Sequence, residues 1–274
     1  MKQNDIITQI HQKKSFLCIG LDVDLDKIPK HLKNEKETIY HFNKQIIDAT
    51  HDLAIAYKLN TAFYEAYGLE GWIALEKTID YLNKNYPEIF TIADAKRGDI
   101  GNTSTRYAKA FFEQMDFDAI TVAPYMGRDS VEPFLAFDNK FTILLALTSN
   151  KSSSDFQMIS SGDKRVYESV IEQSLTYKHA EQLMFVVGAT KPEYFKSIRD
   201  IAPHHFLLVP GVGAQGGSLK EVCTYGLNND VGLIINSSRG IIYAGNDKNF
   251  RSDARHQAQK LQQEMHTILD QKFK

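Results

Sequence analysis

The stretch TIADAKRGDI, residues 91–100, runs an apolar segment into Asp94, Lys96 and Asp99, with Gly98 among them and Gly101 just beyond. A short apolar run bounded by turn signals has the length and character of a strand buried on both faces. Side chains two apart on a strand share a side, so Asp94 and Lys96 should point together past the strand's end while Ala95 faces the other way. An ion pair that caps the strand is the plain reading of such a cluster. Three charged groups flanked by glycine point instead to a site, because desolvating them is costly without a task.

Seven further apolar runs are of strand length: 16–22, 53–60, 118–124, 142–148, 184–189, 205–211 and 231–237. Segments with helical spacing lie between them, such as NKQIIDATHD, YEAYGLEGWIALEKTIDYLNKN, SLKEVCTYGLNN and, near the C-terminus, DARHQAQKLQQEMHTIL. Strands alternating with helices imply parallel βαβ units, and eight of them in ~250 residues fit a (β/α)8 barrel. An open doubly wound sheet has the same periodicity and stays as the alternative. There is no fixed-period repeat and no Pro- or Gly-rich linker, so residues 1–274 read as one domain. The serine-rich stretch 149–165, after the fifth strand, reads as a solvated loop or a lid.

In such a barrel the chemistry lies at the C-terminal ends of the strands. Polar groups follow most of the apolar runs there: Asp22, Lys58, Asp94 with Lys96, Thr148 with Ser149, Gln215 and Arg239. Lys58 offers a second cation to the cluster around Lys96.

With 43% hydrophobic residues the chain can bury a sizeable core, and a net charge of −2 gives no global electrostatic case for nucleic acid or an anionic membrane. An anionic ligand must therefore be met locally. Two cysteines, Cys18 and Cys223, are too few for a disulfide framework or a cysteine zinc site and fit a reducing compartment. The N-terminus lacks the apolar core of a signal peptide, and no apolar stretch approaches the ~18 residues that span a bilayer, so a soluble, cytoplasmic protein is expected.

FLLVPGVGAQGG contains G-x-G-x-x-G at Gly211, Gly213 and Gly216, but Pro210 interrupts the strand-to-helix turn and no acidic residue stands where a ribose would be held. A loop whose backbone N–H groups approach phosphate, aided by Gln215, fits better. Arg239 in INSSRGI offers bidentate donors, and the loops after the seventh and eighth strands are the usual phosphate site of this barrel. No histidine cluster has metal spacing, and neither a P-loop nor a G-x-S-x-G elbow occurs. His204 and His205 read as solvated loop residues at the far end. Tyr125, Phe111 and Phe112 read as packing residues.

In order along the chain, GLDVD, AYKLNTAFYEA, DAKRGDIGNT, TVAPYMG, LTSN, PGVGAQGG and SSRGI resemble the orotidine 5'-phosphate decarboxylase family in its longer bacterial form. D-x-K-x-x-D alone is shared by a wider superfamily, whereas DAKRGDIGNT followed by PGVGAQGG is specific. The resemblance departs at KSSSD, where the family has a proline soon after TSN. It implies a (β/α)8 barrel and conversion of orotidine 5'-monophosphate to uridine 5'-monophosphate in de novo pyrimidine biosynthesis. It also implies a homodimer and no metal or organic cofactor. By resemblance Lys96 is the proton donor, Asp94 stands beside it, and Asp99 and Thr103 are lent across the dimer interface. Asp22 and Lys58 address the ribose and complete the charged array. Ser149 contacts the pyrimidine, Gln215 links base and phosphate, Arg239 clamps the phosphate, and Pro210 and Ser238 complete the substrate-binding set.

Two rival readings are a metal-dependent sugar-phosphate lyase of the same superfamily and a barrel that binds a phosphorylated ligand without turnover. The metal-dependent relatives carry a carboxylate where this chain has Lys58, which argues against a divalent cation.

Overall fold

The computed structural model describes residues 1–33, 35–213 and 216–273. Eight strands form a closed barrel: β1 (Leu17–Gly20), β2 (Ala56–Asn60), β3 (Phe90–Arg97), β4 (Ala119–Val122), β5 (Phe141–Leu147), β6 (Leu183–Val187), β7 (Leu207–Pro210) and β8 (Leu233–Ser237). Each pairs with its neighbours in chain order, and β8 closes onto β1. The pairings β1–β2, β2–β3, β4–β5, β5–β6 and β6–β7 are parallel. All eight expected strands are present, and closure resolves the alternative of an open sheet. Every residue of β1, β6 and β8 is buried, which is why these strands read as continuous apolar runs without alternation.

The chain packs as two compact units. One comprises 1–95, 115–117 and 236–274; the other comprises 96–114 and 118–235. In the first, α1 (Gln3–Lys13), α2 (Thr38–Thr50), the short α3 (Ala62–Glu65), α4 (Gly68–Asn85), the single-turn α10 (Arg239–Ile242) and the long α11 (Phe250–Lys272) surround β1 and β2. Helix α4 buries Gly71, Ala74, Leu75, Thr78, Ile79 and Leu82, the stripe that a 3.6-residue period predicts. Helix α2 buries Phe42, Asn43, Ile46 and Ile47 and packs against both α4 and α11.

The second unit carries α5 (Gly101–Lys109), α6 (Arg128–Leu135), α7 (Val166–Ser174), α8 (Phe195–Ile201) and α9 (Leu219–Gly226). The serine-rich stretch is more structured than its composition suggests. It forms a 3₁₀ turn at Lys151–Asp155 and a two-residue antiparallel pair joining Ser160–Ser161 to Lys164–Arg165. Lys191 Nζ donates to Ser153 Oγ at 2.7 Å, and the Thr148 N–H donates to Gln157 Oε1 at 2.8 Å.

Two aromatic or imidazole residues depart from expectation. Phe111 and Phe112 are buried, but Tyr125 is 93% exposed. His205 is not a solvated loop residue: it is half-buried, its ring lies edge-on to Phe185, and its Nε2 is 3.2 Å from the Ala180 carbonyl. His204, beside it, is exposed as expected. Cys18 and Cys223 are buried and neither is in a disulfide. Among the described residues no helix is long and apolar enough to cross a membrane.

Within the second unit, Arg199 of α8 is a half-buried cation held by carbonyls. Its Nε donates to Gly226 O at 2.7 Å, Nη2 to Gly232 O at 2.7 Å, and Nη1 to His205 O at 2.6 Å and Ala202 O at 3.3 Å. Burial lowers the guanidinium to about 10, so it stays charged at neutral pH. One side chain thus ties the end of α8, the turn before β7, the end of α9 and the entry to β8. Arg199→Met should cost on the order of 3 kcal/mol, or roughly 6–12 °C in Tm, because several buried acceptors lose their donor at once. Arg199→Lys should recover only part of this, since a point ammonium cannot reproduce the planar fork. Thermal unfolding followed by circular dichroism measures it, and an unchanged Tm in Arg199→Met would show the guanidinium to be dispensable.

Candidate active site

Strand β2 carries Lys58 at its middle, and β3 runs alongside with Lys58 opposite Ile92 and Asn60 opposite Asp94. Lys58 is 4% exposed and Asp94 9%. The Lys58 ammonium donates to Asp94 Oδ2 at 2.9 Å and reaches Asp22 Oδ1 at 3.5 Å. Burial alone would lower the Lys58 pKa. The charges of Asp22 and Asp94 outweigh that and hold it above the ordinary lysine range. Below it the Cys18 thiol, pushed up by burial, stays protonated and points at Asn236 Oδ1 at 3.5 Å.

Asp22 lies just past β1, on a segment whose path is set by backbone bonds. The Leu21 N–H donates to Lys58 O at 2.9 Å, continuing the β1–β2 ladder by one residue. Where β1 meets the segment after β8, a Cβ on Gly20 would come within 2.7 Å of Ser238 Cβ, so only glycine fits. Ser238 Oγ donates to Gly20 O at 2.9 Å. Ser238 is half-buried. Arg239, the first residue of α10, is exposed.

The second unit carries the remaining expected residues. Lys96 is exposed, and its backbone turns left-handed at φ 48°. Strand alternation alone therefore does not set the direction of this side chain. A non-glycine residue at positive φ is uncommon and is held there by its surroundings. The Lys96 N–H donates to Thr121 Oγ at 2.8 Å and the Arg97 carbonyl accepts from Ala123 N at 2.8 Å, fixing the turn to the end of β4. The buried Ala95 fits the expected opposite face.

Asp99 is half-buried. Its Oδ1 accepts from Ile100 N at 2.7 Å, and its backbone is bracketed by the Ser104 hydroxyl. Thr103, one turn into α5, is exposed. Ser149 is half-buried after β5, its carbonyl accepting from Thr190 Oγ at 3.1 Å. Pro210 ends β7, and its carbonyl accepts from Ala189 N at 2.9 Å.

Gly211, Gly213 and Gly216 all take positive φ, at 99°, 72° and 88°. Their loop closes on itself: Gly213 N donates to Gly217 O, Gly216 N to Gly213 O and Gly217 N to Gly211 O. The N–H groups of Gly213, Gly216 and Gly217 thus bond within the loop. Gln215 lies outside the described residues.

Sequence reasoning missed the residues that hold the first unit's array. The hydroxyls of Tyr64, Tyr67 and Tyr243 all meet the 21–25 backbone. Tyrosines on amphipathic segments read as core, and no local spacing marks their hydroxyls.

The pattern described as the orotidine 5'-phosphate decarboxylase / HUMPS family matches residues 15–250. The orotidine 5'-phosphate decarboxylase of Flavobacterium johnsoniae is 62% identical over 273 residues, covering 100% of both chains. That of Bacteroides fragilis is 56% identical over 266 residues, covering 97% of each. Among solved structures, Leishmania donovani OMP decarboxylase superposes with a TM-score of 0.84 at 37% identity, covering 98% of this chain and 99% of that one. Leishmania donovani UMP synthase gives a TM-score of 0.86 at 38% identity, covering 98% of this chain and 56% of that one.

The Asp22–Lys58–Asp94 array makes its own prediction. With Lys58 in place, its raised pKa contributes stability that is complete below about pH 10.4 and lost only as pH rises through the folded-state value. Lys58→Met leaves two buried carboxylates without their cation and should cost ~3–5 kcal/mol near neutral pH. One carboxyl should then bind a proton more tightly folded than unfolded, so the variant should regain stability on going from about pH 8 to about pH 5, relative to the parent. Urea unfolding at several pH values measures this; parallel pH profiles for the two proteins would show that the carboxylates are not coupled through Lys58.

Proposed function

Because the chain belongs to the orotidine 5'-phosphate decarboxylase / HUMPS family, we propose that it decarboxylates orotidine 5'-monophosphate to uridine 5'-monophosphate, acting as one catalytic domain in the cytoplasm. The observation that carries this reading is the buried Lys58 cation between Asp22 and Asp94 at the strand ends. A cation already occupies the position where a metal-dependent relative would offer a carboxylate.

The reaction breaks the bond between C6 and the carboxylate carbon and leaves the electron pair on C6. Carbon dioxide departs, and a proton must be delivered to that carbon. In this reading Lys96 supplies positive charge facing C6 and then transfers a proton from Nζ, leaving a neutral amine that solvent reprotonates. The charge is fixed before the bond breaks, so no solvent need reorganise around the developing carbanion. Asp94 would stand near the departing carboxylate, where two like charges ~4 Å apart repel by about 4 kcal/mol at an effective dielectric near 20. Enzymes lower barriers by ~8–23 kcal/mol, so this repulsion is a minor share and stabilisation of the carbanion by Lys96 the larger.

The other assignments follow the substrate's parts. Asp22 and Lys58 take the ribose hydroxyls, Ser149 the pyrimidine, and Gln215 both base and phosphate. Arg239 takes the phosphate, with Pro210 and Ser238 lining the substrate. Stretch 149–165 would cover the ligand. Binding energy from the remote phosphate then holds the base in place for the chemistry.

We further propose a homodimer in which Asp99 and Thr103 serve the partner's site. Support comes from the segments after β3 and β4, where Ile100 is 55% exposed, Tyr107 37%, Tyr125 93% and Met126 51%. Large apolar side chains gathered at such exposure mark an interface more often than bare surface.

Loss of absorbance on orotidylate conversion tests the activity. Turnover should persist in the presence of chelator, and Lys96→Ala should lower kcat by roughly 10²–10⁴-fold or more while nucleotide binding stays measurable. Chelator-sensitive turnover would favour the metal-dependent lyase, and binding without turnover a non-catalytic barrel. Mixing Lys96→Ala with Asp99→Asn, each inactive alone, should restore about one quarter of the parent's activity, because half the dimers are mixed and each has one intact site. No recovery after subunit exchange would place Asp99 in its own chain's site.

A further inference from the structure

We infer that Tyr243 is a positioning residue for Asp22, coupling the arginine-bearing turn α10 to the segment that carries the array; the inference rests on the assignment of Asp22 proposed above. Tyr243 follows Arg239 by four residues, and its N–H donates to Arg239 O at 3.2 Å. Its hydroxyl donates to Asp22 O at 2.9 Å and accepts from Asp24 N at 2.6 Å. One oxygen thus spans the residues on either side of Val23 and fixes the backbone from which the Asp22 carboxylate reaches Lys58.

The hydroxyl is itself held. The Tyr243 ring stacks on Phe42 at 6.1 Å and 22°, and Phe42 stacks on Phe250 at 5.5 Å and 14°. Burial pushes the phenol pKa up, so the group remains a donor at working pH. Two other tyrosines bracket the same segment: Tyr64 donates to Leu21 O at 2.8 Å and Tyr67 accepts from Leu25 N at 3.0 Å. Tyr64 is anchored by Asn43, whose Nδ2 donates to its hydroxyl at 2.9 Å and to Thr78 Oγ at 3.1 Å. Leu21 and Leu25 are therefore pinned to α3 and to the residue before α4, whereas Asp22 and Asp24 are pinned to α10. Of the three hydroxyls, only that of Tyr243 joins the Asp22 segment to the turn that begins with Arg239.

The bond from Lys58 to Asp22, at 3.5 Å, is the longer of the two in the array. A small displacement of the Asp22 backbone would break it while leaving the 2.9 Å bond to Asp94 intact. Precision of this order is what catalytic arrays demand of their supporting groups.

A double-mutant cycle tests the inference. Tyr243→Phe keeps the stacked ring and removes the hydroxyl. It should lower kcat/KM by about tenfold in the parent and by less than about twofold in an Asp22→Asn background, because its effect passes through Asp22. An equal loss in both backgrounds would reduce Tyr243 to general scaffolding. If Tyr243→Phe does not fold, Phe42→Leu, which removes the ring beneath Tyr243, enters the same cycle with the same expectation. The underlying reading is tested separately by Asp22→Asn alone: unchanged turnover in that variant would remove Asp22 from the machinery, whatever Tyr243 does.

Discussion

An ammonium buried to the degree of Lys58 survives only because Asp22 and Asp94 face it, and that constraint organises the first unit. Taking an ion out of water costs several kcal/mol even after relaxation, and the return comes only when partners are held in place. Among these three groups, one ammonium against two carboxylates leaves a single negative charge. Such a surplus is unfavourable for stability alone.

The protein handles its buried cations in two ways. Arg199 meets four carbonyl oxygens and no carboxylate, and its planar fork makes that possible. The result is a tie between elements with no chemistry to offer. Lys58 meets carboxylates, so its neighbours carry charge that a substrate can feel. Lysine in the Arg199 position would leave acceptors unmet, and arginine in the Lys58 position would bring more donors than two carboxylates on adjacent segments need. The residue type at each place follows from the partners available.

Much of the barrel was legible in the sequence because strands buried on both faces produce uninterrupted apolar runs, and LMFVV or LIINS admits little else. Asp22 just past β1, Lys58 within β2 and Asp94 in β3 were legible for the same reason, since polarity there departs from the run. What escaped depends on geometry outside the strand. Lys96 adopts a left-handed backbone that alternation cannot foresee. The glycines at 211, 213 and 216 suggested a loop that offers backbone N–H groups, and no sequence pattern shows that those of Gly213, Gly216 and Gly217 bond within it. His205 resembled a loop residue because its partners, the Ala180 carbonyl and the Phe185 ring, arrive from distant parts of the chain. Tyr125 resembled a core aromatic because composition cannot separate a side chain packed in its own chain from one left exposed.

The tyrosines around residues 21–25 show the same limit from the other side. A segment leaving a parallel strand must satisfy its backbone groups without a ladder. Short polar side chains from within the segment would do so, but with the mobility of the segment itself. Tyrosine reaches from a neighbouring helix with only two rotatable bonds, and its ring is fixed by packing before its hydroxyl is placed, as Phe42 fixes that of Tyr243. The Asp22 backbone thereby inherits the rigidity of α3, α4 and α10 rather than of its own segment. Holding a carboxylate at bonding distance from a buried ammonium requires that borrowed rigidity, and the chain supplies it from residues distant in sequence, Tyr64 and Tyr67 on one side and Tyr243 on the other.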